Sequence, residues 1–505
     1  MSHTPPLTYT EWFRSTAIQN PSHPAVIDET CSVSFGELYS LASRVAFELR
    51  NRDLEIGSPV GLALTPSVAY LTVFLGVLFA GGVPAPLNTR LPTQDLSAYI
   101  ERIGASCVVH DTAHEAVVEG IMTKSIAISG VANSDRLVNQ LGSILGDELL
   151  DFAPHESSPA VIFPTGGTTG LPKGVFTDQR GLALWAWNVA TTGRRHRQDV
   201  ELYFSPFFHV TLVVGILAPL FVGSTIVIEQ KFDPARAFSS MKSHGVTRLM
   251  GAPTMFKALM DSAEGNRPVL GQIRHITFGS AAASPEFIER LMEFFPNADL
   301  TTGLGATEFG SGVTKIDPEE IRVGSIHGVG RPVPGAQLRI CDSDGRTVPT
   351  GKVGEIQVRS PWQTLGYWNQ PEETASTYLP DGFIRLGDLG FLDENGRLTI
   401  NGRLKEMIIT GGENVFPVEV ETAMLREDEV DEVVVFGVPD EHWGERIEAV
   451  VKLREGFDLD PTLFRDRLRK SVADYKIPKR IHVVDEIPLT PNNKPDRRNL
   501  SLKYT

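Results

Sequence analysis

A chain of 505 residues exceeds a single ordinary core, so it should divide into more than one domain. Hydrophobic residues make up 41% and charged residues 22%, which is ordinary for a soluble globular protein. A net charge of -15 argues against nucleic acid or an anionic membrane as partner, so an anionic substrate would need local donors. The N-terminal Met1-Ser-His-Thr-Pro-Pro6 has no basic and then apolar run, so no signal peptide is expected. Cys31, Cys107 and Cys341 are far apart and form no CxxC pair. Neither a zinc site nor a disulfide framework is signalled, and a reducing cytoplasm fits.

Residues 10–160 alternate helical and strand patterns, which favours a parallel α/β sheet. Ser34-Phe-Gly-Glu-Leu38 and residues 41–49 predict an amphipathic helix after a turn. Residues 56–89 carry no charge and imitate a membrane span. Pro59, Pro66, Gly81, Gly82, Pro84 and Pro86 interrupt them, and a spanning helix needs ~20 apolar residues in one run. The pattern predicts instead a strand near 60–64, a buried helix near 68–80, and a second strand. Residues 108–110 predict a short buried strand. Residues 211–229 are similarly apolar, broken by Pro219 and Gly223.

The stretch Phe163-Pro-Thr165-Gly166-Gly167-Thr168-Thr169-Gly170-Leu-Pro-Lys173-Gly-Val follows the apolar Val161 and Ile162, which read as the end of a buried strand. Glycines let backbone N–H groups turn toward an anion, threonine hydroxyls add donors, and Lys173 adds a positive charge. It is not a Walker loop, because Leu171 and Pro172 separate Gly170 from Lys173 and Gly174 follows the lysine. Composition alone also suits a plain Gly/Thr surface loop between two strands. In its order the stretch resembles the phosphate loop of the acyl-adenylate-forming enzymes: acyl- and aryl-CoA synthetases, adenylation domains and luciferases. Their usual Thr-Ser-Gly-Thr-Thr-Gly-x-Pro-Lys-Gly has serine where this chain has Gly166. The resemblance implies that Thr165, Gly166, Gly167, Thr168, Thr169, Gly170 and Lys173 grip the phosphates of ATP.

Further stretches resemble the same family in the same order. In Phe204-Ser-Pro-Phe-Phe-His209-Val210, a histidine beside aromatics reads by itself as a core residue. The resemblance makes His209 a residue that lines and gates an acyl pocket. Val210, Val214, Gly305 and Gly310 are expected beside it. Gly279-Ser280-Ala281-Ala282-Ala-Ser284 would form a wall of the adenine site, with Ser284 able to cap the next helix. Residues 246–283 also predict strands near 248–250 and 273–278 around a helix near 253–260.

Thr301-Thr-Gly303-Leu304-Gly305-Ala-Thr307-Glu308 resembles the family's Tyr-Gly-x-Thr-Glu. The resemblance places Thr307 on the α-phosphate and Glu308 on Mg²⁺. Leu304 stands where the family has a tyrosine stacking on adenine. Gly and Pro turns among the strands after residue 329 predict a small β-rich subdomain, with Gly366-Tyr367-Trp368 in it. Asp388, in Arg385-Leu-Gly-Asp388-Leu-Gly, reads locally as a turn aspartate. By resemblance it accepts from the ribose hydroxyls, and Arg403 joins it. Lys405, in Asn401-Gly-Arg403-Leu-Lys405, resembles the family's hinge. Gly411-Gly412 resembles a loop that closes on the pantetheine arm, and Trp443 a residue near the nucleotide of coenzyme A. From residue 430 the tail predicts a small α+β domain, with strands near 433–438 and 481–484 and a helix near 464–471. At the end, Asn493-Lys494-Pro resembles the family's final Gly-Lys, and Lys494 would neutralise charge on the reacting phosphoryl group.

The fold expected is α/β: a large N-terminal domain of stacked α/β subdomains plus a β-rich subdomain, and a small mobile α+β C-terminal domain. The expected boundaries are 1–401, a hinge at 402–405, and 406–505. The expected function is an ATP-dependent, Mg²⁺-assisted acyl- or aryl-CoA ligase of the cytoplasm, without an integral membrane segment and with a homodimer as one assembly open to it. A stand-alone adenylation enzyme that loads a carrier protein is the main alternative, and Trp443 favours coenzyme A over it. A luciferase-like oxygenase is disfavoured, because Ile409 stands where that subgroup has lysine. A non-enzymatic nucleotide binder is disfavoured by Glu308 and Lys494 together.

Overall fold

The structure, a computed structural model, describes residues 6–121, 125–127, 153–165, 171–263, 270–279, 283–324, 328–490 and 495–505. The chain packs as two compact units, Met1–Gln337 with Val358–Ile384, and Leu338–Gln357 with Arg385–Thr505. The boundary expected at 402–405 therefore falls inside the second unit.

In the first unit the apolar stretch after residue 56 folds as anticipated. A strand at Pro59–Ala63 leads into a helix at Val68–Phe79 and a strand at Val83–Pro86. Ser67 caps the helix by accepting from the Tyr70 N–H at 3.2 Å. Every residue of that helix is buried. A helix that is apolar all round must be covered on all sides. Part of the cover is the helix Phe35–Asn51, which starts in a capping box between Ser34 and Glu37. The two helices pack so closely that a Cβ on Gly76 would come within 2.5 Å of Val45. Full burial of Phe74, Leu75 and Leu78 contributes roughly 1.5–3 kcal/mol each. Among the described residues no helix is long and apolar enough to cross a membrane.

Among the described residues, four parallel strands (Val83–Pro86, Pro59–Ala63, Cys107–His110 and Ser125–Ala127) form one sheet of this unit. Seven strands form another, with Arg248–Gly251 and His275–Phe278 parallel near one edge. This mixed α/β build is the one expected from the alternating pattern.

A third sheet corrects the expected place of one segment. Pro159–Thr165 and Lys173–Asp178 run antiparallel, with Thr165 opposite Lys173, so the two strands frame the glycine-rich stretch. Gly366–Tyr367 adds to this pair, with Tyr367 opposite Val175. Residues 358–384 therefore belong to the first unit and not to a separate β-rich piece. Trp368 anchors the return: its indole N–H donates to the Ile103 carbonyl at 2.9 Å, and its ring meets Phe176 edge-on at 5.1 Å. A two-residue strand is too short to reveal its partner by periodicity.

Gln337–Cys341, Gly354–Arg359, Ile384–Leu392 and Leu398–Arg403 form the β-rich sheet, most of whose residues belong to the second unit. The last strand packs on the helix Pro417–Met424, and Gly402 lies against the Phe416 ring. That packing is why residues before 402 join the C-terminal unit. A second sheet combines Ile408–Thr410, Glu413–Val415, Val430–Asp440, Gly444–Leu453 and Arg480–Val483 over a separate apolar core. The strand expected at 433–438 is extended at both ends, because its hairpin partner runs from 444 to 453.

Candidate active site

In the first unit, Glu308 follows a tight chain reversal. Gly305–Ala306 pairs with Ser311–Gly312, and Gly310 turns the chain at φ 69°. A Cβ on Gly310 would sit 2.3 Å from the Trp362 carbonyl oxygen, so only glycine fits. Gly303 is equally confined, with the Thr314 carbonyl oxygen 2.0 Å from where its Cβ would stand. Leu304 is half-buried; its N–H donates to Thr314 Oγ1 at 2.8 Å and its carbonyl accepts from Val313 at 2.8 Å. Thr307 is half-buried and its carbonyl accepts from the Gly310 N–H.

Glu308 is 7% exposed. Its Oε1 accepts from the Tyr367 hydroxyl at 2.9 Å, and its carbonyl accepts from the Thr364 hydroxyl at 2.7 Å. The ammonium of Lys173 lies 4.6 Å from the centroid of the same Tyr367 ring. Burial first, and the Glu308 charge second, push the Tyr367 phenol well above its ordinary pKa. The fold thus brings Lys173, paired across the ladder with Thr165, and Glu308 onto a tyrosine that sequence reasoning did not select. Its only signal was an aromatic in Gly366-Tyr367-Trp368, nearly 200 residues beyond the lysine.

His209 sits where the chain enters a helical run containing a π turn, Val213–Leu217. Its Nδ1 accepts from the Thr211 N–H at 3.3 Å and lies 3.2 Å from the Thr211 hydroxyl. An accepting Nδ1 leaves the proton of the neutral ring on Nε2. A π turn breaks the regular i→i+4 ladder. Arg195 takes the Val214 carbonyl at 2.9 Å, and is itself held by Glu201 at 2.8 and 3.2 Å. Val210 is buried and Val214 half-buried. The helix Gln179–Thr192 packs on both the π turn and the strand Ser311–Gly312, so it bridges the two groups of expected acyl-pocket residues. Gly305 is exposed and Gly310 buried.

A groove of about 780 Å³ runs along the first unit, lined by Trp187, Asn188, Arg194, Lys315 and Trp362 among others. None of the residues expected at the site lines it. Gly166, Gly167, Thr168, Thr169, Gly170, Ser280, Ala281, Ala282 and Lys494 lie outside the described residues.

The second unit carries the other expected residues. Asp388 lies in a strand rather than a turn, 6% exposed, and accepts from Arg403 Nε at 2.8 Å. The two residues face each other across the ladder, and Arg403 is half-exposed. A carboxylate with a cation beside it can accept from both hydroxyls of a diol. Lys405 is exposed in a 3₁₀ turn, Leu404–Glu406.

Gly411 and Gly412, at φ 59° and 84°, make a two-residue hairpin between Ile408–Thr410 and Glu413–Val415. Two consecutive left-handed residues are what such a hairpin demands, which supplies a structural reason for the glycine pair. Trp443 covers Gly411, accepts its N–H at the carbonyl, and stays 40% exposed. Lys479 reaches 4.9 Å from the indole centroid.

Leu304→Tyr is expected to lower the KM for ATP about threefold, since an aromatic contact adds ~0.5–1.5 kcal/mol. Phe278 and Phe309 are both buried, and Phe278 packs edge-on against Phe287 at 5.8 Å. An unchanged KM would move the base away from residue 304.

A family model described as AMP-binding enzyme matches residues 13–368, and one described as AMP-binding enzyme C-terminal domain matches residues 419–494. A feruloyl-CoA synthase of an Amycolatopsis species is 29% identical over 486 residues, covering 96% of each chain. A fatty acid–[acyl-carrier-protein] ligase of Streptomyces coeruleorubidus is 28% identical, covering 97% of this chain and 95% of that protein. Among solved structures, the o-succinylbenzoate CoA synthetase of Bacillus subtilis, in complex with its acyl-adenylate intermediate, superposes with a TM-score of 0.86. It is 27% identical, with 97% of each chain covered.

Proposed function

The chain belongs to the AMP-binding enzyme family, and we propose that within it this protein is an ATP-dependent acyl- or aryl-CoA ligase. Its relatives make it an AMP-forming acid–thiol ligase. The observation that supports the adenylation half of this reading is Lys173 and Glu308 both contacting Tyr367, beside the strand pair that frames the glycine-rich stretch.

The reaction has two halves. A carboxylate oxygen of the acid attacks the α-phosphorus of ATP, and pyrophosphate leaves with the bridging oxygen. A carboxylate is already a nucleophile, so no general base is required. What the protein supplies is positioning and stabilisation of phosphoryl charge. In this reading residues 165–170 and Lys173 hold the phosphates, Thr307 and Lys494 meet the α-phosphoryl group, and Asp388 with Arg403 holds the ribose. Ser280, Ala281, Ala282, Gly303 and Leu304 flank the base. The thiol of coenzyme A then attacks the acyl carbonyl and AMP leaves. Gly411, Gly412 and Trp443 serve that second half.

A single buried carboxylate fits Mg²⁺ that arrives on the nucleotide, because Mg²⁺ takes one or two carboxylates plus phosphate oxygens rather than an all-protein cage. Bound there through Glu308, it would neutralise charge on the departing pyrophosphate.

In this reading the acid lies beside His209, Val210, Val214, Gly305 and Gly310, which are mostly small and apolar and suit an aromatic ring or a medium alkyl chain. The acceptor reading rests on the half-exposed Trp443 with Lys479 beside it, a flat face plus a cation suited to a phosphorylated adenine nucleotide. Carrier-protein loading is the second reading, supported by the relative that acts on acyl carrier protein. AMP release is to be measured over a panel of aryl and alkyl acids, with coenzyme A and separately with a holo carrier protein. Turnover with coenzyme A is expected; turnover with the carrier protein alone would reverse the assignment.

A further inference from the structure

We propose that Tyr367 is a positioning residue for adenylate formation, holding the carboxylate of Glu308 at its hydroxyl and the ammonium of Lys173 on its ring. The inference rests on the reading of the site given above. The hydroxyl donates to Glu308 Oε1 at 2.9 Å, and Lys173 Nζ stands 4.6 Å from the ring centroid. Tyr367 and Glu308 are each 7% exposed, so both contacts act with little water to weaken them. A phenol leaning its proton toward a carboxylate has a more electron-rich ring, which strengthens its pull on the cation.

The tyrosine is itself held on several sides. Its N–H donates to Thr374 Oγ1 at 2.9 Å, its backbone pairs with Val175, and Tyr378 meets its ring edge-on at 6.0 Å. Thr364 takes the Glu308 carbonyl from the same returning segment and also meets the Tyr378 hydroxyl at 2.6 Å. Residues 364–378 therefore hold Glu308 by its carboxylate and by its backbone. The ring face holds the cation and the hydroxyl holds the anion, each fixed by its own contact.

The test is calorimetric ATP binding, with Mg²⁺ and with EDTA, for the full chain and for Tyr367→Phe and Tyr367→Leu. Melting temperatures and acid-dependent ATP–pyrophosphate exchange are measured alongside. Tyr367→Phe keeps the ring and loses the hydroxyl. It is expected to bind ATP in EDTA as the parent does, and to lose about tenfold of the affinity that Mg²⁺ adds. Tyr367→Leu also loses the face under Lys173, and its binding in EDTA is expected to weaken about threefold. Equal losses in the two variants, or an undiminished Mg²⁺ gain in Tyr367→Phe, would overturn the proposal. Should the leucine variant fail to fold, the Mg²⁺ gain of Tyr367→Phe decides alone. A parent protein that neither binds ATP nor exchanges pyrophosphate would remove the functional reading, and this inference with it; that failure is visible before any variant is made.

Discussion

Glu308→Gln is expected to slow acid-dependent ATP–pyrophosphate exchange by about 10²–10³-fold, with little change in melting temperature. The two halves of that expectation have different causes. The amide oxygen of glutamine can still accept the Tyr367 hydroxyl, and the Thr364 bond goes to the backbone carbonyl, so both of these contacts survive the substitution. What disappears is the buried negative charge that, in the proposed reading, would hold the Mg²⁺ arriving with the nucleotide. A weakened cation facing the departing pyrophosphate is expected to cost about 2.7–4 kcal/mol, the size of one lost oxyanion-hole donor. Exchange within threefold of the parent would mean that Glu308 faces no reacting charge.

Lys494→Ala is expected to slow adenylate formation by about 10³-fold or more, while thioester formation from supplied acyl-adenylate is largely retained. Lys494 lies outside the described residues, and the residues flanking it, Leu489 and Pro495, form an antiparallel bridge. The expectation comes from its place in the final stretch and from the chemistry of the two halves. Negative charge builds on the α-phosphoryl oxygens when carboxylate attacks, and an ammonium there lowers that barrier. In the second half the charge builds on the acyl carbonyl, away from the α-phosphoryl oxygens that Lys494 is proposed to meet. Single-turnover assays of each half separate the two. Equal losses in both would show that the lysine serves general nucleotide binding and not the first transition state.

Local order in the sequence was enough for the activity class and most elements. The glycine-rich stretch, Thr307-Glu308, Asp388, Arg403 and Lys494 recur in one sequence, and the matches to the AMP-binding enzyme models agree with that reading. The apolar stretch after residue 56 was also legible, because proline and glycine constrain the backbone directly and strand and helix lengths follow from where they fall. The glycines at 411 and 412 were visible as a pair, but their left-handed hairpin was not, since periodicity carries no φ.

Other features depended on contacts made far along the chain. Tyr367 reaches Lys173 and Glu308 only because residues 358–384 return to the strand Lys173–Asp178. Neither the two-residue strand nor its neighbouring turn encodes a partner locally. The unit boundary moved for the same reason: the strand Leu398–Arg403 packs on the helix Pro417–Met424, which no local signal at 402–405 reports. The chemical types needed for adenylation are thus a property of the sequence, written in residues that must be of a given kind. Their joint geometry is a property of the tertiary structure, since burial and long-range pairing decide which charge meets which ring.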